Sequence, residues 1–261
     1  MSRSNPQESA AHPSKRWVEY NGEFGTFKFY DKEAIKEDGS KGENINLGAK
    51  FMFLYLDTTY TVTGWSEANG CGLYGTEVKD ISNGILTVKP FKGNNDPKIG
   101  TWNDIKNEVK AMGGKFTANI YMASKGKSGE LEISVLQLKG SAYAAWNEFT
   151  KSKGKAIYDG AIKVASHKDG KKGSVTFKTP IFGMMEVSPE SNTAAVELDK
   201  ELQNFLKEKL AQVPVKQEAP KAVAQEAQHH DDPMVDNTPP PPTDEPLNSD
   251  LDDDGLGDDP F

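Results

Sequence analysis

The chain has 261 residues, enough to bury an independent core, with 31 basic and 39 acidic residues for a formal net charge of −8. Its single cysteine, Cys71, excludes an internal disulfide and a cysteine-rich zinc site, and fits a reducing compartment. No stretch approaches the ~20 apolar residues of a membrane helix, and the polar start MSRSNPQESAAHPSKRW lacks the apolar core of a secretory signal, so the expectation is a soluble, cytoplasmic protein with no membrane partner.

In chain order, residues 1–16 read as a disordered leader. From Trp17 the chain turns rich in β-branched and aromatic residues punctuated by glycine. Short, mostly alternating segments predict strands at 24–30, 45–56, 60–65, 72–78, 85–91, 115–124, 130–139, 155–167 and 173–182. Three helices interrupt them. TWNDIKNEVKAMGG offers Thr101 as a cap and Gly113 as a stop, with Trp102, Ile105, Val109 and Met112 on one face. SAYAAWNEF places Ala142, Ala145, Trp146 and Phe149 together, and the segment 193–210 aligns Leu198, Leu202, Phe205, Leu206 and Leu210. The expected fold class is therefore mainly β with added helices (α+β), antiparallel, over residues 17–213.

After Val213 the composition changes. Residues 214–249 are proline-rich and almost free of large apolar side chains, so they cannot offset the entropy of ordering and read as a disordered linker. Charge is segregated as well. From Pro214 to Phe261 there are two lysines and thirteen acids, which leaves 29 basic against 26 acidic residues in the rest of the chain. A mildly basic body with an acidic tail is a pattern of nucleic-acid-binding proteins.

Three motifs imitate catalytic or metal chemistry. Gly126-Lys127-Ser128 resembles the end of a phosphate-binding loop, but Tyr121 stands where that loop needs glycine. Asp250, Asp252, Asp254 and Gly255 fit the start of a calcium loop whose closing glutamate is replaced by Phe261. His229 and His230 lie in the linker without a scaffold. The sequence thus predicts no enzyme, no metal and no cofactor.

What the body offers a ligand is lysine and aromatics on β segments. Lys125 and Lys127, then Lys151, Lys153 and Lys155, then Lys168, Lys171 and Lys172 read as lysine-dense loops able to follow a phosphate backbone. Tyr60, Trp65 and Tyr158 are the candidates for stacking on unpaired bases.

The last segment, LDDDGLGDDPF at 250–261 with its preceding aspartate, resembles the acidic tip of bacterial single-stranded-DNA-binding proteins in Asp252, Asp253, Asp254, Asp258, Asp259, Pro260 and Phe261. The bacterial ending is usually Ile-Pro-Phe, whereas Asp259 precedes Pro260 here. The resemblance implies an OB-fold body, here an elaborated OB-fold-like antiparallel barrel, followed by a linker and a tip whose terminal phenylalanine docks on replication, recombination or repair proteins. The longer body and added helices look more like a phage-encoded member, which would act in the infected host cell. The implied function is sequence-independent binding and protection of single-stranded DNA. Two rivals remain: an adaptor or DNA mimic acting through the acidic tail, and a β-rich phage assembly protein. Oligomeric state is open.

Overall fold

A computed structural model describes residues 12–36, 39–93 and 96–211. Among them are eleven strands and three α-helices: β1 (Arg16–Asn21), β2 (Thr26–Ile35), β3 (Lys41–Gly48), β4 (Met52–Ser66), β5 (Cys71–Gly75), β6 (Leu86–Pro90), β7 (Lys98–Gly100), α1 (Trp102–Ala111), β8 (Gly114–Lys125), β9 (Leu131–Leu138), α2 (Gly140–Lys153), β10 (Ala161–Lys172), β11 (Val175–Met185) and α3 (Pro189–Leu210). The mainly β, α+β expectation holds. The linker at 214–249 and the tip at 250–261 lie outside the described residues, as does most of the 1–16 leader.

The strands pair in the order β3-β2-β1-β9-β8-β4-β5-β6-β7, with β10 branching from the start of β4 and β11 pairing β10. Two features correct the sequence reading. The pairing path is open, running from β3 to β7, rather than closing on itself. It is also mixed, because β1 runs parallel to β9. Alternation in RWVEYN fixes which side chains are buried, but it carries no information on the direction of the neighbouring strand.

Where α2 and α3 pack against it, sheet β4-β8-β9 is buried on both faces. Ala118, Ile120 and Met122 of β8 and Leu136 and Leu138 of β9 face α2, which contributes Ala142, Tyr143, Trp146 and Phe149. Each such large side chain contributes about 1.5–3 kcal/mol on burial. The alternate residues, Tyr121, Ala123, Ile133 and Val135, face α3 through Ala195, Leu202 and Leu206. A bulge in β4 between Tyr55 and Asp57 shifts the alternation, so Leu54 and Leu56 share this outer face with Thr59. A third cluster joins Val62, Leu86 and Val88 to Trp102, Ile105 and Val109 of α1.

The helix signals act locally. Asp104 accepts hydrogen bonds from both the backbone N–H (3.3 Å) and the hydroxyl (2.8 Å) of Thr101, fixing the start of α1. Gly113, at φ +88°, turns the chain into β8 where any Cβ would lie 2.1 Å from the Trp65 carbonyl oxygen. The third helix begins at Pro189, earlier than the apolar stripe predicts, because Ser188 caps it by accepting from the Ser191 N–H.

Candidate nucleic-acid interface

Folding separates the lysine groups, and the loops expected around them are largely regular structure. Lys125 ends β8, and Lys127 lies in the following turn. Lys127 pairs with Asp31 of β2 at 2.5 Å, which raises the lysine pKa and holds the Asp31 carboxyl below its ordinary range. Arg16 nearby donates to the Lys125 carbonyl and pairs with Glu132. This corner is largely neutralised from within.

Lys151 and Lys153 occupy the last turn of α2, and Lys155 lies in the short 3-10 turn Gly154–Tyr158 that replaces the expected strand start. They suit the negative end of the helix dipole. Lys153 also sets its ammonium 6.0 Å from the Phe149 ring centroid.

Lys168, Lys171 and Lys172 are on β10 itself, not in a loop; the reversal is the two residues Gly173 and Ser174. Lys168 and Lys171 line a cleft of about 680 Å³ between this hairpin and α2. One wall is the low relief of Ser141, Ala144, Ala145 and Ser152; the other carries Phe177, Thr179 and Ile181. Two carboxylates also line it, Glu148 and Asp169, and Asp169 is held by Lys178 at 2.7 Å. The hairpin is fixed to the body where Lys178 N–H donates to the Gly22 carbonyl and its own carbonyl accepts from the Tyr20 hydroxyl.

Ser141 is shared with a second cavity of about 230 Å³, lined by Lys115, Lys139, Gln137, Tyr20 and one carboxylate, Glu19. Burial pushes the Lys139 ammonium below the ordinary lysine pKa; Glu19 opposes the shift and Lys115 adds to it. Lys139 is also the cap position of α2 and supplies no side-chain hydrogen bond to the first turn. Among the described residues the cavity therefore combines two cations and the first turn of α2, through Ser141 and Ala142, with one carboxylate, an arrangement suited to a phosphate.

The surface continues past this cavity. Lys115 pairs in register with Thr63 of β4, whose other neighbour is Tyr74 of β5. Trp65, two residues along β4, is 55% exposed. Of the three stacking candidates, Trp65 is the one placed on this surface. Tyr60 points inward instead, its ring 5.6 Å from Phe116 and 6.3 Å from Tyr143, so it fills the core. Tyr158 is exposed but leans on Tyr55, and Asp57 and Asp199 add to the rise of its hydroxyl pKa, which burial dominates. Those acids make a poor neighbourhood for a phosphate.

The sequence reading missed Lys115, Lys139 and Gln137. Part of their signal was present: Lys115, Thr117 and Asn119 alternate with apolar residues along β8, and Gln137 and Lys139 alternate with Leu136 and Leu138, although Thr117 and Asn119 are buried. The described residues contain no helix long and apolar enough to cross a membrane. No family model, curated protein or solved structure matches this chain.

Proposed function

We propose that the chain binds single-stranded DNA without sequence preference, along the groove running from Lys168 and Lys171 past Ser141 to Lys139 and Lys115. The observation that carries this reading is the cavity at the start of α2, where a half-buried ammonium has, among the described residues, a second lysine and a single carboxylate for company. A backbone phosphate there would restore the lost solvation of Lys139, and the shallow α2 wall gives no shape that would select a base.

The path β9-β8-β4-β10-β11, with α2 inserted between β9 and β10, has the strand order of an OB-fold and supports reading the body as an elaborated one. In that fold the face of strands 2 and 3 and the loops joining strands 1–2 and 4–5 bind oligonucleotides. The corresponding parts here are β8 and β9, the β5-to-α1 excursion, and the turn beside Lys171 and Lys172. β1 occupies the gap next to β9, and β11 reaches the β1–β2 turn through Lys178.

The 250–261 segment, on its resemblance alone, is proposed to recruit replication, recombination or repair proteins. Its apolar Pro260 and Phe261 would anchor and its aspartates would steer the encounter. The body and tail are tested together by tryptophan fluorescence during titration with a long oligothymidine, using the full chain and a chain ending at Val213. The reading expects quenching that weakens with salt and is tighter in the shorter chain. Absence of binding by both at low salt rejects it in favour of an adaptor working through its acidic tail.

A further inference from the structure

The outer face of β4, β5 and β6 carries aromatic rings that no helix among the described residues covers, because α1 packs against the opposite face of the same strands. Trp65 of β4 stands opposite Gly72 of β5, and Phe91, just beyond β6, donates its N–H to the Gly72 carbonyl at 2.8 Å. The two aromatic residues thus flank a glycine in one row across the sheet. They lie two strand spacings apart, about 10 Å. A flat ring held between two others needs about 7–8 Å, two contacts of about 3.5–4.0 Å.

Trp65 and Phe91 are 55% and 72% exposed, far above what a core ring shows. A Cβ built on Gly72 would have one neighbour within 4 Å, the Gly64 carbonyl oxygen at 3.9 Å, so neither ring occupies the space above it. Gly72 does not need glycine for its backbone either, since its φ is not among the positive ones. Glycine inside a strand, where it weakens the sheet without a conformational reason, marks a place of close approach by something else.

The surroundings identify the approaching group. Tyr74, next on the same face, sets its ring 6.2 Å from Phe91 and backs that wall. Lys89, its cross-strand partner, holds its ammonium 5.7 Å from the Tyr74 ring centroid. On the other side the row Tyr74–Thr63–Lys115 leads into the cavity lined by Lys115 and Lys139. A flat apolar ring flanked by negative charge on both sides satisfies rings and lysines together. An unpaired nucleobase with its two phosphates is such a group.

We propose that Trp65, Gly72 and Phe91 form a slot that takes one unpaired base of a DNA single strand, with Tyr74 supporting the wall and Lys89 and Lys115 holding the adjoining phosphates. The slot deepens the single-stranded-DNA reading and rests on it.

The test uses the full chain and fluorescence anisotropy of a labelled oligothymidine, with thermal melting of every variant. Gly72→Val fills the slot with a side chain that strands favour. Its melting midpoint is expected to stay equal or rise, while affinity falls between about fivefold and about a hundredfold. Trp65→Ala and Phe91→Ala are expected to lose affinity by similar factors, and an abasic oligomer of the same length to show no difference between wild type and Gly72→Val. If wild type binds oligothymidine and Gly72→Val binds it equally well, the slot is overturned and the groove reading survives. If wild type binds no oligothymidine at low salt, the groove reading fails and the slot fails with it. Equal loss on the abasic oligomer also overturns the slot, since no base would then be sensed. Binding of oligouridine but not oligothymidine would replace DNA by RNA as the occupant and overturn the proposal as stated.

Discussion

The two halves of the outer sheet face treat buried charge in opposite ways. Beneath α3, the Glu77 side chain is 7% exposed and fully engaged. One carboxylate oxygen accepts from the Thr59 and Tyr121 hydroxyls at 2.8 Å each, and the other accepts from the Lys209 ammonium at 3.0 Å. Desolvation, reinforced by Glu77, drives the Tyr121 hydroxyl pKa upward, so that hydroxyl stays a donor. Beyond α3, Lys115 of β8 and Lys139 at the start of α2 line a cavity whose one carboxylate among the described residues is Glu19. A buried charge with all its partners inside the fold holds an element in place; one left with a like-charged neighbour is set up to meet an external ion.

The contrast is broken most severely at Glu77. Glu77→Ala leaves Lys209 and two hydroxyls without their acceptor and is expected to cost about 3 kcal/mol, at the low end for a buried pair because Lys209 is partly exposed. Urea unfolding measures that loss, and oligothymidine affinity of the folded fraction should be unchanged. On the open half the pattern reverses. Lys115→Ala with Lys139→Ala should leave stability equal or slightly higher while weakening DNA binding. The slope of log K against log salt should become shallower by about 0.7 for each phosphate that a lysine no longer neutralises.

A smaller effect follows from the depressed pKa of Lys139. A bound phosphate favours the charged ammonium, so the bound-state pKa lies above the free one. Affinity is then full below the free pKa and declines as pH rises through it. Lys139→Arg, which keeps its charge throughout, should remove that decline in a titration taken from neutral to alkaline pH. The smallest effect is expected at Lys127, whose charge already belongs to Asp31: Lys127→Ala should leave oligothymidine affinity unchanged in the same assay.

The same contrast explains what the sequence disclosed. Apolar periodicity located all three helices and most strands, because burial of Trp146 or Leu202 depends on spacing along one segment. It merged β3 and β4 across Gly48 and split β4 at its bulge, since a register shift changes no residue type. It also ran past the 3-10 turn Gly154–Tyr158, most of which it took into the strand predicted at 155–167. Lysine density singled out Lys168 and Lys171, which line the cleft beside α2, and Lys127 alike, because the carboxylate that pairs with Lys127 lies on β2, far away in sequence. Trp65 and Tyr60 are both β4 aromatics, and only the packing of Phe116 and Tyr143 tells them apart. Lys115 and Lys139 become neighbours through the pairing of β8 with β9 and the start of α2, and no window of sequence contains both sides of that cavity.

The central claim is that the open half-face binds single-stranded DNA through Lys115 and Lys139. Its most direct test is the salt dependence of oligothymidine binding by the full chain and by the Lys115→Ala/Lys139→Ala double variant, with both melting curves in hand. The account predicts a native melting midpoint for the variant, weaker binding at every salt concentration, and a salt slope shallower by about 1.4. A double variant that melts normally and keeps both the affinity and the slope of the wild type would contradict it.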